Sequence, residues 1–174
     1  LFSSVVIMRF YSNRSFQPAW TDGVVLPELA YEMRYEIQQI KFDGLNPSDY
    51  HLNAINSLFA KYERAKDTKE AFELADFAAL DILLTDAYII ISSHLYLGKV
   101  NPENLKSEWN IQRSAPELMI DKRLVEAIAN QNIRKSFEEL YPSFTIYKRM
   151  RDGLRFMYEH HERFDKKYIG KWKK

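Results

Sequence analysis

The chain has 174 residues, 46% of them hydrophobic, so it is long enough for one folded domain and too apolar for a disordered one. Its 25 basic and 24 acidic residues leave a net charge of +1, which creates no overall field for binding nucleic acid. The absence of Cys excludes disulfides, Cys-ligated zinc and a thiol nucleophile within this chain.

The first predicted helix and the loop after it carry an aromatic motif. The helix covers about 3–13 and begins with a serine cap. Pro18 then favours extended backbone in the residue before it. Phe16, Pro18 and Trp20 form either a loop that contacts a ligand or a packing feature in which Trp20 fills the core, and packing is the favoured interpretation.

Two further helices are predicted before the middle of the chain. The second covers about 26–41, with an apolar stripe on one side and Glu36 among the polar residues that face water. Asp43-Gly44 ends this second helix, since Asp and Gly are residues that favour turns. A third helix then opens with Asn46 as its cap and Pro47 as its first residue.

The middle of the sequence predicts one long central helix over about 69–97. No Pro or Gly interrupts it, and apolar residues cover more than half of its girth, as expected for a helix surrounded by other helices. Gly98 provides the stop signal. Asp81, Asp86 and His94 lie within the apolar run and argue against a membrane span.

The last third predicts shorter helices near Asp121 and Ile133 and a final helix over about 144–164. There is no sustained two-residue alternation, internal repeat or low-complexity segment. The sequence therefore predicts an all-α fold: one globular domain of about six to eight helices around a long buried central helix. We predict that the helical domain covers 1–165.

The end of the chain, 166–174, is rich in Lys and is predicted to be a basic tail or a linker to another domain. A solvated end or a domain boundary is the favoured interpretation of this charge, and a patch that binds an anionic partner is the alternative. Because the chain begins with Leu, we interpret it as a piece of a longer protein.

Few residues are candidates for chemistry. Asp86 and His94 lie two turns apart on the central helix, where Asp86 is either an acid or base in a cleft or, as we favour, a hydrogen-bonded structural carboxylate. A Ser–His–Asp set within one helix cannot adopt the required geometry.

His160-His161-Glu162 lacks the spacing of a metal site. No phosphate-binding or dinucleotide motif is present, so we expect no metal and no cofactor.

Three motifs, in order, resemble the scaffold domain of the large periplasmic murein L,D-transpeptidases. They are Phe10-Tyr11-x-x-Arg14-x-Phe16-x-Pro18-x-Trp20, then Asp43-Gly44-Leu45-Asn46-Pro47-x-Asp49-Tyr50-x-Leu52, and then Leu84-Thr85-Asp86-Ala87 followed by His94-Leu95-x-x-Gly98-Lys99-Val100 and Trp109. Their order and spacing match that domain over most of the chain. The residues that carry the resemblance are interpreted as structural: Arg14, Pro18, Trp20, Asp43, Gly44, Leu45, Tyr50, Thr85, Asp86, His94, Gly98 and Trp109.

The resemblance implies a non-catalytic role in an enzyme that cross-links and remodels peptidoglycan in the periplasm. That family acts through a Cys in a Ser-x-Gly-Cys signature, which this chain lacks, so no catalytic residue is carried over. The implied partners are catalytic and peptidoglycan-binding domains of the same polypeptide, with peptidoglycan itself as a further candidate. No nucleic acid and no membrane span are expected.

Two alternatives to the scaffold interpretation remain open. One is a stand-alone helical module that binds peptidoglycan or a peptide. The other is a lysozyme-like muramidase with one Glu acid in an apolar pocket. The scaffold interpretation itself predicts an exposed apolar or aromatic face for a neighbouring domain, with the Trp20 loop, the Trp109 segment and the last helix as candidates.

Overall fold

The computed structural model describes residues 2–68, 71–99 and 119–160, and its helices agree with the all-α prediction. Within these ranges the only strand-like pairing is an isolated bridge between Asp22 and Val25. Two 3₁₀ segments cover Ile40–Asp43 and Pro47–Tyr50. The seven α-helices of the described ranges are α1 (Phe2–Asn13), α2 (Glu28–Gln39), α3 (Leu52–Asp67), α4 (Leu74–Leu97), α5 (Ile120–Ala129), α6 (Ile133–Glu138) and α7 (Thr145–Glu159).

Helix α4 is the predicted central helix, and it contacts α1, α2, α3 and α5. Leu80, Leu84 and Tyr88 on α4 are fully buried in the core. The helix begins at Leu74 with a capping box formed by Glu73 and Asp76. It is not enclosed all round, because Ile82 is 51% exposed on its open side.

The predicted ends of the first three helices differ from the observed ones, each for a local reason. Helix α1 begins at Phe2, so the serines near its start lie inside the helix instead of capping it. Helix α2 ends at Gln39 and tightens into the first 3₁₀ segment, which Gly44 closes with a left-handed φ of 74°. Asn46 caps a 3₁₀ turn, and His51, at φ 60°, separates that turn from α3.

Glu36 was predicted to face water, but it is buried at 4% exposure. The guanidinium of Arg134 on α6 reaches its carboxylate, with Nε 3.0 Å from Oε1. Burial raises the pKa of Glu36, and the bond from Arg134 opposes that rise. The sequence of α2 alone contains no sign of this partner, which lies 98 residues away.

No helix in the described ranges is long and apolar enough to cross a membrane. The central helix was predicted to begin near Lys69, and this is wrong: residues 71–73 are not helical, and α4 begins at Leu74, where Glu73 and Asp76 form the capping box. The Trp109 segment and the basic end 166–174 lie outside the described residues. The final helix is described as far as Glu159, and its predicted continuation to about residue 164 is likewise outside.

Candidate functional site: an apolar groove beside the Trp20 loop

Asp81 on α4 holds the loop that follows α1. Its carboxylate accepts hydrogen bonds from the backbone N–H of Ala19 at 2.9 Å and of Trp20 at 2.7 Å. The hydroxyl of Tyr11 donates a third bond to it at 2.5 Å. A buried carboxylate needs such partners, so Asp81 fixes the loop against the middle of the helix.

The indole of Trp20 is the buried anchor of the loop, as the packing interpretation predicted. Trp20 is fully buried, and its Nε1–H donates to the hydroxyl of Thr85 at 2.9 Å. The Tyr11 hydroxyl lies 2.8 Å from the same Thr85 oxygen. Burial, together with the Asp81 charge, raises the pKa of Tyr11, so its proton stays in this network.

The backbone between α1 and the anchor is strained. Ser15 and Phe16 have left-handed φ values of 52° and 58°, a region that bulky residues rarely adopt. Arg14 stabilises this turn by donating to the carbonyls of Gln17 at 2.9 Å and Pro18 at 2.7 Å. The strained turn places the Phe16 ring outside the core, where it is 66% exposed.

An apolar groove of about 380 Å³ lies between α1, this loop and α4. Its walls are Ile7 and Met8 on α1, Phe16 and Pro18 on the loop, and Leu74, Phe77 and Ile82 on α4. Four of these side chains are more than half exposed: Met8 at 59%, Phe16 at 66%, Leu74 at 78% and Ile82 at 51%. Val24, 67% exposed, follows Gly23, which lines the groove.

The groove is suited to recognising an apolar shape. Of its polar side chains, Asp81 and Tyr11 are already engaged with each other, and Asp81 also with the loop backbone, while Thr21 is the third polar residue of the lining. Among the described residues, no Ser, Cys, His or Glu lines it. Concave apolar surfaces of this size bind small apolar groups or a side chain of a partner, with a few polar atoms fixing orientation.

The second motif places Tyr50 and His51 against α4. The Tyr50 hydroxyl lies 2.9 Å from Nδ1 of His94, and Nε2 of His51 lies 2.7 Å from the carboxylate of Asp86. Burial, with the charge of Lys99, lowers the pKa of His94, and burial raises the pKa of Tyr50 to about 12. Asp86 and His94 therefore bind consecutive residues of one turn and do not contact each other as a catalytic pair.

Asp43 connects the same motif to α7. Its carboxylate, 1% exposed, accepts from the Tyr147 hydroxyl at 2.7 Å and from Arg151 Nε at 2.7 Å. Burial and the bond to Asp43 raise the pKa of Tyr147. Leu45, next to Gly44, is half-buried against the core.

Of the motif residues, Trp20 and Tyr50 bind side chains of α4, the helix that carries Thr85, Asp86 and His94 and is followed by Gly98. Arg14 and Pro18 belong to the turn before Trp20, and Asp43 binds α7. Trp109 lies outside the described residues. The sequence showed Asp81 as a carboxylate in the apolar run that needs hydrogen-bond partners if it is buried, but it did not identify the Trp20 loop as their source. A lone carboxylate on the apolar side of a core helix was the available signal, since such a group requires hydrogen-bond donors from another element. The left-handed Phe16 had no signal in the sequence.

Two other kinds of chemistry can be examined in the described ranges. No three His, Asp or Glu side chains there cluster in a way that could hold a metal ion. The buried Glu36, a candidate acid for a muramidase, is ion-paired with Arg134 and lines no part of the groove.

Comparison with known proteins identifies the family. The profile of a family described as Scaffold domain matches residues 6–154, which includes all three motifs and most of α7. Comparison with curated proteins and with solved structures gives no match. Because the profile covers well over half of the chain and agrees with the predicted resemblance, this chain belongs to the Scaffold domain family.

Proposed function

We propose that the chain is the non-catalytic scaffold domain of a periplasmic murein L,D-transpeptidase, an enzyme that cross-links peptidoglycan. Membership of the Scaffold domain family and the three motifs that resemble that enzyme's helical domain support this function. The chain has no Cys, so the nucleophile of such an enzyme would come from another domain of the polypeptide.

The observation that carries the proposal is the exposed apolar groove built by the first motif. The fold holds Phe16 in a left-handed conformation that costs about 1–2 kcal/mol for a residue with a side chain, and strain of this kind is often found at functional sites. This conformation exposes the aromatic ring of Phe16 beside the preformed groove. A partner that covers the groove would bury that ring.

The size of this surface favours a tethered partner. An interface between domains of one polypeptide buries about 600 Å² or more in total, or about 300 Å² on each side. Exposed parts of Met8, Phe16, Leu74 and Ile82 can supply an area of that order. A stable complex of free proteins needs about 800 Å² from each partner, so the groove suits a domain held nearby by the chain itself.

The first test is made in the full polypeptide encoded by the gene. Phe16→Asp places a charge at the groove edge without a backbone penalty, since Asp adopts left-handed φ more easily than Phe. We expect cross-linked muropeptides to fall about tenfold, because burying one large apolar side chain is worth about 1.5–3 kcal/mol. Val125→Asp makes the same kind of change at a 47% exposed apolar residue of α5 and serves as the control.

Two results would contradict the proposal. One is a full polypeptide without a Cys-containing transpeptidase domain. The other is equal activity of the Phe16→Asp and Val125→Asp variants. In the first case the groove would instead support the stand-alone binding module, and titration of stem peptides into the isolated chain would test it.

A further inference from the structure

A second concave surface, different in character from the apolar groove, lies between α5 and α6. It has a volume of about 330 Å³, which is at the lower end of the range of small-molecule sites. All of the residues that line it except Ala127 are polar or charged, and none of them lines the groove beside the Trp20 loop. We refer to this surface as the α5–α6 cleft.

The two walls of the cleft belong to a helical hairpin. Gln131, with a left-handed φ of 50°, lies in the turn, where the backbone N–H of Asn132 donates to the carbonyl of Ala127 at 3.1 Å. At the other end, Nη2 of Arg123 on α5 donates to the carboxylate of Glu139 after α6 at 2.9 Å. These last two residues are equally far from Gln131 in the sequence, so the helices run side by side from the turn to this ion pair.

The floor of the cleft is buried and held by hydrogen bonds. Ala127 is 3% exposed and Ser136 is 8% exposed. The hydroxyl of Ser136 donates to the carbonyl of Ile133 at 2.7 Å and accepts from the hydroxyl of Tyr88 at 3.1 Å. The Tyr88 ring in turn stacks on Phe137, with 5.0 Å between the ring centres. The cleft is therefore preformed, and a ligand would not have to order its floor on binding.

Four charged side chains line the cleft, and one pair of them is left without partners. Arg123 and Glu139 bind each other at the far end. Between this pair and the turn, Glu126 on α5 and Lys135 on α6 line opposite walls. In the described ranges, neither the Glu126 carboxylate nor the Lys135 ammonium has a hydrogen-bond or ion-pair partner. One anion and one cation thus remain for a ligand.

Other hydrogen-bonding groups of the cleft are only partly used. The guanidinium of Arg123 carries five N–H donors, and within the described part of the chain only Nη2 has an acceptor, while Nε is buried without one. Near the turn, Oδ1 of Asn132 accepts from the backbone N–H of Lys135 at 2.9 Å, and its amide nitrogen has no acceptor among these residues. Buried polar atoms without a partner are uncommon in folded proteins, and a bound molecule or water is the usual reason for one.

The arrangement of charge selects the kind of ligand. A simple anion would meet two cations but also two carboxylates, and a simple cation would meet the same conflict in reverse. A neutral ligand would leave both unpaired charges without a counter-charge. A ligand that carries an ammonium and a carboxylate satisfies Glu126 and Lys135 at once, through hydrogen bonds between charged groups, which are the strong ones.

We infer that the α5–α6 cleft binds an α-amino acid group with both charges free, in a free amino acid or at the end of a peptide side chain. Glu126 accepts from the ammonium, and Lys135 donates to the carboxylate together with the amide of Asn132. Glu126 and Lys135 lie at nearly the same distance from the turn in the sequence, so the two ligand charges must be close together, as they are on one α-carbon. This site goes beyond the proposed function and does not depend on it.

The test titrates the purified, isotope-labelled chain with three related compounds and follows its amide signals by NMR. Glutamine carries both charges, 4-carbamoylbutanoate is the same molecule without the ammonium, and 4-aminobutanamide is the same molecule without the carboxylate. We expect glutamine to shift the amides of 123–139 in a saturable way. Each of the other two should bind at least about tenfold more weakly, because one charge-assisted hydrogen bond is lost.

A fourth compound distinguishes the two sources of the ligand group. In Nε-acetyllysine the same α-amino acid group lies at the end of a longer, neutral chain that contains an amide. Tighter binding of this compound than of glutamine would assign the cleft to a peptide side chain, and weaker binding would assign it to a free amino acid.

Matched variants assign the two charges. Glu126→Gln should bind glutamine about tenfold more weakly than wild type does, yet bind 4-carbamoylbutanoate equally well, since only the ammonium has lost its acceptor. Lys135→Gln should show the same pattern with 4-aminobutanamide as the unaffected compound. Glu138→Gln on α6 and Lys122→Gln on α5 make the same changes at exposed residues outside the cleft and should bind like wild type. Circular dichroism of the four variants checks that the helices are retained.

Three outcomes would overturn the inference: no saturable shift with glutamine or Nε-acetyllysine, equal binding of glutamine and its two truncated relatives, or equal binding of glutamine by Glu126→Gln and Glu138→Gln. None of these outcomes depends on the groove beside the Trp20 loop or on whether the chain is part of a transpeptidase, so the two proposals fail separately.

Discussion

Asp81 joins parts of the chain that are 61 residues apart. One carboxylate accepts hydrogen bonds from two backbone N–H groups and from the Tyr11 hydroxyl. These bonds replace the hydrogen bonds to water that the three donors lose on burial. Hydrogen bonds to a charged acceptor are about twice as strong as neutral ones. The groove beside the loop is therefore shaped by a polar contact, although its surface is apolar.

Replacing Asp81 with Asn tests this role. The amide nitrogen of Asn cannot accept a hydrogen bond, so in either orientation of the amide at least one of the three donors on Tyr11, Ala19 and Trp20 loses its acceptor on this side chain. We expect the free energy of unfolding to fall by about 2–3 kcal/mol in denaturant titrations. Asp67→Asn, an identical change at an exposed residue that ends α3, should change it by less than about 0.5 kcal/mol. Equal effects of the two variants would refute the anchoring role.

His94 links folding to pH. Its pKa lies below the ordinary 6.5, mainly because of burial and then because of the Lys99 charge. As pH falls through this region the unfolded chain takes up a proton more readily than the folded one, so the contribution of His94 to stability is present above pH 6.5 and is lost below it.

His94→Gln removes this titration and also the contact with the Tyr50 hydroxyl. The variant should be less stable than wild type at about pH 7.5, and the gap should narrow when unfolding is repeated at about pH 5.5. The comparison with wild type cancels the titration of other groups. Parallel stability curves for the two proteins would show that His94 does not titrate differently on folding.

At the scale of elements, the sequence predicted a helix well where burial in the core alone determined its pattern of apolar residues. The apolar girth of α4 has no other explanation than a core position, and Gly98 marks its end. Trp20 was predicted to be buried, and it is. Glu36 was placed wrongly, because its burial depends on Arg134 from a helix that is distant in sequence. The groove could not be predicted, since it arises from left-handed residues that have no residue-type signal.

Two glycines offer opposite outcomes for the same substitution. Gly44 has a φ of 74° and Gly153 lies inside α7, and an added Cβ would meet no atom within 4 Å at either position. Gly44→Ala should cost about 1–2 kcal/mol, because the left-handed conformation disfavours a side chain. Gly153→Ala should gain about 0.5–1 kcal/mol, because Ala favours the helix.

The measurement is the thermal unfolding of the two glycine variants and of wild type, which gives the change in stability of each variant. Steric conflict is excluded at both positions, so a shared direction of change would mean that backbone conformation is not what decides the effect.

At the scale of the whole molecule, the domain has a body and an attached helix. The body buries its apolar residues around α4, from Val6 on α1 to Leu140 after α6. Helix α7 contributes no buried side chain and is attached mainly at the first 3₁₀ segment, Ile40–Asp43. A helix that buries little apolar surface should open at a lower free energy than the core helices. This separation leaves the apolar side of α7 available to a partner surface without cost to the body.

Asp43→Ala should therefore release α7 without unfolding the body. The change leaves Arg151 and the Tyr147 hydroxyl half-buried without their acceptor, and breaking such a pair costs about 3–5 kcal/mol. Because α7 contributes no buried side chain to offset this loss, the cost falls on its docking. Hydrogen exchange should show amides of 145–159 losing at least about tenfold protection while those of 74–97 keep theirs.

Asp49→Asn, which affects an exposed pair with Lys99, is the control and should leave both helices unchanged. Equal loss of protection in α4 and α7 would instead mean that α7 folds as one cooperative unit with the body.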